Sequence, residues 1–157
     1  MDTPPRLRNE TELERIDRNL NELLSELRVI ATGVQVLFGF LLIVPFNVGF
    51  RRLDTGERYA YFAILLATAA AAGLLIAPSA LHRLIFRQGD KPYLVQTANR
   101  MAISGIAFLL VAMTGILGLL SGHIFGWLAG VVVLVGAGIF FGTLWFGIGL
   151  NRRRGRR

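Results

Sequence analysis

The sequence contains no cysteine, and only 17% of its 157 residues are charged. Without cysteine there are no disulfides, thiolate metal sites or cysteine nucleophiles. Charged residues make up about 25% of a typical soluble domain. The deficit arises because Asp, Glu, Lys and Arg are missing from four long apolar runs. These absences indicate an integral membrane protein that has little chain left for a separate extramembrane domain.

The four apolar runs are long enough to cross a bilayer, which requires about 20 mostly apolar residues for each helix. The predicted spans are residues 29–50, 59–81, 101–121 and 125–150. We therefore expect an all-α fold, an integral membrane four-helix bundle with an N-terminal cytoplasmic amphipathic helix. A basic C-terminal tail, residues 151–157, follows the last span.

The positive charges predict the orientation of the spans. Of the 17 Lys and Arg residues, fourteen lie before the first span, between the second and third spans, or after the fourth. Because cytoplasmic loops carry an excess of Lys and Arg, both termini should be cytoplasmic. The localisation predicted is the plasma membrane, crossed several times. The net charge of +7 therefore reflects topology, and we expect no nucleic-acid partner.

The N-terminal segment is predicted to be disordered over residues 1–10 and helical over residues 11–28. Thr11 and Glu14 match a capping box, which marks a helix start. Apolar residues then recur with the alternating spacing of three and four that is typical of a heptad repeat. They are Leu13, Ile16, Leu20, Leu23, Leu27 and Ile30.

Three surfaces could cover this apolar stripe. The first is a coiled-coil partner, although the pattern covers only about two and a half heptads and a coiled coil needs three or four. The second is the membrane surface, but such helices are usually basic and residues 1–28 carry more acidic than basic side chains. The third is this chain's own helices or a neighbouring copy. The sequence leaves the choice open.

A polar cluster is expected at the cytoplasmic face, where the acidic N-terminal helix meets the basic connection of residues 82–100. It could form a structural charge network, with Glu22 and Glu26 pairing with arginines of the second and third helices. It could instead bind anionic lipid headgroups. Its members are Glu22, Glu26, Arg28, His82, Arg83, Arg87, Asn99 and Arg100.

Gln35 and Asn47 are the two amide side chains within the predicted spans. A single amide in a membrane helix usually makes an interhelical hydrogen bond. In a small oligomeric channel the same two residues would line a polar path. No Asp, Glu, Lys, Arg or His lies in a span, and no motif of a hydrolase, metalloprotease or nucleotide-binding enzyme is present. The sequence gives no indication of a catalytic residue, metal site or cofactor.

Several segments resemble a family of small bacterial membrane proteins, common in actinobacteria, that is catalogued as a domain of unknown function. The segments that carry the resemblance are Glu26–Arg28, Gly33–Phe38, Val44–Phe46, Leu75–Arg83, Phe86-Arg87 and Ala98–Ala102. The resemblance implies a four-helix membrane fold and no activity, ligand or catalytic residue. We therefore expect a non-enzymatic protein with a structural, scaffolding or regulatory role, which could form homo-oligomers. The alternative is a small oligomeric channel or transporter.

Reporter fusions test the predicted orientation. Fusions after Arg157 and at Gly89 should report a cytoplasmic location, and a fusion at Gly56 should report the opposite side, because the Lys and Arg excess lies with the first two positions. An alkaline phosphatase and fluorescent protein pair at each position gives the measurement. A periplasmic signal at Gly89 would contradict the four-span topology.

Overall fold

The computed structural model describes residues 12–85 and 91–147. The predicted disordered segment 1–10 and the basic tail 151–157 therefore lie outside the described residues, as does Arg87. The described chain contains four α-helices and no β-strand. They are α1 (Glu12–Ile43), α2 (Thr55–Ile85), α3 (Lys91–Phe125) and α4 (Trp127–Gly142). All four lie in segments long and apolar enough to cross a membrane, which confirms the predicted all-α, four-helix membrane architecture.

Helix α1 is continuous from Glu12 to Ile43, so the amphipathic segment and the first span form one helix. Leu27 is buried against α2 and α3 of the same chain, and Leu23 packs beside it. This part of the apolar stripe is thus covered by the chain's own helices. The side chains of Leu13, Ile16 and Leu20 lie outside the described set.

Proline ends α1 earlier than the predicted span. Pro45 has no amide hydrogen to donate, and it disfavours a helical conformation at the residue before it. The α-helix accordingly stops at Ile43, and two short 3₁₀ segments, Val44–Phe46 and Val48–Arg52, lead to α2. In contrast, α2 continues through Pro78, which is fully buried.

Helices α1, α2 and α3 enclose two clusters of buried side chains. One cluster joins Leu27 and Val34 of α1 to Ala71 and Leu75 of α2 and to Ala102 of α3. The other contains Leu41, Tyr61, Ile64, Ala67 and Ala112. Many of these residues are alanines, which allow helix backbones to approach closely where lipid supplies no hydrophobic drive for association.

Helices α3 and α4 form a tight hairpin around Gly126, whose φ of 97° is a conformation that favours glycine. Gly118 and Gly122 of α3 lie against Gly130 of α4. Among the described helices, α4 packs on α3 alone. The hairpin therefore depends on glycine contacts, and most of α4 faces the bilayer or another protein.

The two ends of the bundle carry different structures. We call the end where α2 ends and α3 begins the proximal end, and the opposite end the distal end. The distal end contains the α1–α2 connection, defined as residues 44–54, and the Gly126 turn. The N-terminal part of α1 lies at the proximal end, beside Leu75 and Ala102.

Replacing Gly130 with alanine should destabilise the hairpin. The added Cβ would lie 2.8 Å from Gly122 Cα and 2.9 Å from the Gly118 carbonyl oxygen, so backbone atoms must move apart. Overpacking of this kind costs about 1–3 kcal/mol. Thermal unfolding in detergent should show a clear fall in the melting temperature of Gly130→Ala.

Gly136→Ala is the matched control on the same helix. A Cβ at Gly136 meets no atom within 4 Å, and alanine has the higher helix propensity. Its melting temperature should be unchanged or slightly raised. Equal destabilisation by both substitutions would contradict the hairpin packing described above.

Candidate functional site

The proximal end brings together the described members of the predicted polar cluster. Glu22, Glu26 and Arg28 project from α1, and all three are exposed. Arg83 of α2 and Arg100 of α3 are exposed as well. His82 is half-buried and Asn99 is exposed. These side chains share one end of the bundle, on three different helices.

The expected pairing of glutamates with arginines across helices is not formed by the described side chains. Glu22 Oε1 instead lies 3.8 Å from Nε of Arg18, one turn earlier on α1. No ion pair joins Glu22 or Glu26 to Arg83 or Arg100 in the described part of the chain. The reason is that Leu23 and Leu27 turn toward the core, which places the glutamates on the flank of α1.

The two predicted intramembrane amides occupy different environments. Gln35 lies near the middle of the candidate span Asn21–Phe46, on an exposed face of α1, and no described residue hydrogen-bonds its side chain. Asn47 lies outside any α-helix, between the two 3₁₀ segments, because Pro45 helps to end α1 first. Its Nδ2 donates to the carbonyl oxygen of Ile43 at 3.4 Å. The two amides therefore form no hydrogen bond with each other in the described chain.

The buried hydroxyl groups of the described bundle, on Tyr61, Thr68 and Thr114, donate hydrogen bonds to backbone carbonyl oxygens. Thr68 Oγ1 donates to the Ile64 carbonyl oxygen at 2.8 Å, and Thr114 Oγ1 makes the same bond to Leu110. The Tyr61 hydroxyl donates to the Leu41 carbonyl oxygen, joining α2 to α1. Among the described side chains, no buried nitrogen or oxygen lacks a partner. The described interior thus presents no free polar group to a solute.

A polar cluster that the sequence analysis missed lies at the distal end. Asp54 and Glu57 form a reciprocal capping box at the start of α2: the Glu57 amide donates to Asp54 Oδ1 at 2.8 Å, and the Asp54 amide donates to Glu57 Oε2 at 3.0 Å. The second carboxylate oxygen of Glu57 lies 2.9 Å from His123 Nδ1 at the end of α3. One carboxylate therefore caps α2 and ties it to α3.

The spacing of Asp54 and Glu57 was a usable signal for the cap, because an N-cap residue followed three positions later by Glu marks a helix start. The contact with His123 had no such signal, since 66 residues separate the partners.

A groove of about 400 Å³ opens beside this cluster, between the start of α2 and the α3–α4 hairpin. Asp54 and Glu57 lie at one edge, and Trp127, Val131 and Leu134 supply apolar surface. The described residues contain no group of three His, Cys, Asp or Glu side chains able to hold a metal ion. Because both carboxylates already accept hydrogen bonds, we assign the cluster a structural role.

Four long apolar helices, a neutral interior and charged side chains confined to the bundle ends define a multi-pass membrane protein. Comparison with known families agrees with this class. The profile of a family of unknown function, DUF6328, matches residues 9–149, and the chain belongs to that family. No curated protein and no solved structure matches the chain.

The Glu57–His123 contact should contribute to stability at the distal end. Glu57→Gln and His123→Ala, singly and together, form a double-mutant cycle that isolates the interaction. Because both side chains are partly exposed, we expect a coupling of about 0.5–1 kcal/mol, measured by denaturation in detergent.

Glu26→Gln is the control, since Glu26 is exposed and has no partner in the described part of the chain. It should show no coupling with His123→Ala. Strictly additive effects of the Glu57 and His123 substitutions would contradict a stabilising contact.

Proposed function

We propose that this chain is a non-enzymatic protein of the bacterial plasma membrane with a structural, scaffolding or regulatory role, exerted through lateral assembly of its helices. Both termini face the cytoplasm in this proposal, which rests on the distribution of Lys and Arg. The bacterial origin rests on the family resemblance. The observation that carries the proposal is the position of Gln35.

Gln35 exposes an amide on α1 at the depth of the hydrocarbon. The amide has two donors and one acceptor oxygen, and leaving such groups unpaired in an apolar medium costs free energy. Another helix is the natural partner, since polar side chains in membranes hydrogen-bond across helices. A second copy of this chain supplies both donor and acceptor from its own Gln35.

The surface around Gln35 supports close approach of a second helix. Thr32 and Gly39 share the same side of α1 at positions i−3 and i+4, and a Cβ at Gly39 would meet no atom within 4 Å. The Thr32 hydroxyl donates to the Arg28 carbonyl oxygen, so it is satisfied within α1. Small or internally bonded residues thus flank the amide, as is common in membrane helix interfaces.

The absence of enzymatic activity is part of the proposal. Support comes from the sequence, which has no Asp, Glu, Lys, Arg or His within the predicted spans, and from hydroxyls that are bonded to backbone carbonyls. Charged side chains at the proximal end are instead available to the membrane surface. Arg28, Arg83 and Arg100 are exposed there, in keeping with binding of anionic headgroups at the cytoplasmic face.

A small oligomeric channel is the second candidate, and the same amide favours it. Since Gln35 is exposed on the flank of α1, a polar path past it would run between copies. The two candidates therefore use the same interface between copies. A channel would have a polar path at the centre of this interface, and a scaffold would not. Ion or solute flux into liposomes that Gln35→Leu abolishes would favour the channel, whereas a tight assembly without flux would favour the scaffold.

Self-association in lipid bilayers should depend on Gln35. In a Förster transfer assay with labelled full-length chains, Gln35→Leu should raise the dissociation constant about 3- to 20-fold, the range expected from interhelical hydrogen bonds in membranes. Gln35→Asn keeps the amide and should retain more of the association.

Val36→Leu is the matched control, because it changes an exposed apolar neighbour on α1 without touching a polar group. It should leave the dissociation constant within about twofold of the native value. A native chain that stays monomeric at high protein-to-lipid ratio, or equal losses in Gln35→Leu and Val36→Leu, would overturn the proposed interface.

A further inference from the structure

The α1–α2 connection directs large apolar side chains away from the protein. Phe46 is 89% exposed and Val48 is 76% exposed. Both follow the end of α1 directly, within the two 3₁₀ segments. Exposed apolar groups next to a membrane-spanning helix are stable where they enter the bilayer.

The connection is fixed to the bundle, so these side chains have a defined direction. The Phe50 ring packs edge-on against Tyr61 of α2, with ring centroids 5.1 Å apart. The Arg58 guanidinium donates to the carbonyl oxygen of Arg51 at 3.0 Å. Two contacts from α2 thus hold the connection against the bundle while Phe46 and Val48 remain outside it.

Two aromatic residues mark the level of the membrane interface at the same end. Tyr59 in the second turn of α2 and Trp127 at the start of α4 are both strongly exposed. Tyr and Trp concentrate at the boundary between hydrocarbon and headgroups. The connection, which lies at this distal end, is therefore at headgroup depth.

Arg51 and Arg52 lie at the end of the second 3₁₀ segment, and both are exposed. In a 3₁₀-helix, side chains three residues apart lie on the same side. Val48 and Arg51 therefore share one side of the segment. An apolar side chain in the acyl region with a guanidinium toward the headgroups is the arrangement that amphipathic interfacial segments adopt.

The carboxylates nearest in sequence are already engaged. Asp54 and Glu57 accept hydrogen bonds from each other's backbone amides, and Glu57 also contacts His123. In the described part of the chain, neither Arg51 nor Arg52 has an ion-pair partner. Two guanidiniums at the interface thus receive no anion from the described residues.

We propose that the α1–α2 connection is an interfacial anchor that binds an anionic phospholipid, with Arg51 and Arg52 on the headgroup phosphate and with Phe46 and Val48 among the acyl chains. Guanidinium groups match phosphate oxygens through paired N–H donors. The ligand is a lipid because the apolar side chains adjoin the arginines. This site is separate from the arginines of the proximal end and does not depend on self-association through Gln35.

Lipid binding to the full-length protein tests the arginines. Native mass spectrometry with added phosphatidylglycerol should give an apparent dissociation constant about 30-fold weaker for the double variant Arg51→Gln, Arg52→Gln than for the native chain. Arg15→Gln with Arg18→Gln is the control, since it removes the same charge from exposed positions on α1. It should change the constant less than about threefold.

Insertion of the connection is measured separately in nanodiscs. Because the sequence has no cysteine, Val48→Cys carries a single nitroxide label. Its electron paramagnetic resonance saturation should respond to oxygen, which concentrates in the acyl region, more than to a water-soluble nickel complex. A label that responds mainly to the nickel complex would overturn the anchor.

Three further results would also overturn the proposal. They are equal effects of the two arginine pairs on phosphatidylglycerol binding, equal affinity of the native chain for phosphatidylcholine, and displacement of the lipid by millimolar inorganic phosphate. The last result would assign the arginines to free phosphate. Weaker phosphatidylglycerol binding by the Arg51→Gln, Arg52→Gln variant would support the headgroup site. A Val48→Cys label at the depth of the acyl chains would support the apolar part of the anchor.

Discussion

Hydrocarbon offers no hydrogen-bonding partner, and this constraint explains most of the structure. Every polar group within the bilayer must be satisfied by the protein itself. Backbone groups are satisfied by helices, and the hydroxyls of Tyr61, Thr68 and Thr114 donate to carbonyl oxygens. Gln35 is the exception among the described amides at membrane depth, because no described residue hydrogen-bonds its side chain. The constraint therefore explains the absence of free polar groups in the described interior. It also makes the outer surface of α1, where the Gln35 amide is exposed, the candidate interface.

Close packing follows from the same constraint, since small residues bring helix backbones together where lipid competes for apolar contacts. Alanines serve this purpose between α1, α2 and α3, and glycines serve it in the α3–α4 hairpin. Because α4 packs on α3 alone among the described α-helices, the described chain has a three-helix core and one peripheral helix. The outward surfaces of α1 and α4 are thus available to other chains or to lipids.

The sequence predicted those features that depend on local chemistry. Hydropathy located the four helices, and heptad spacing identified Leu23 and Leu27 as an apolar stripe. The predicted first span included Asn47 because the prediction did not take into account that Pro45 ends the α-helix before Asn47. Glu22 and Glu26 form no ion pair with Arg83 or Arg100 in the described part of the chain, because complementary charge does not specify which side of α1 faces α2 and α3. Contacts between distant segments, such as Glu57 with His123, require the tertiary fold.

Thiol accessibility along the core tests the central claim, that the chain's own interior is closed to water. Ala71→Cys and Ala112→Cys replace buried residues of the two core clusters with a side chain of similar size, and no native cysteine interferes. In proteoliposomes, a water-soluble maleimide should label Tyr59→Cys at the exposed distal end and leave both core positions unmodified. Rapid labelling of Ala71→Cys and Ala112→Cys in the folded protein would contradict this account and indicate an aqueous path within each chain.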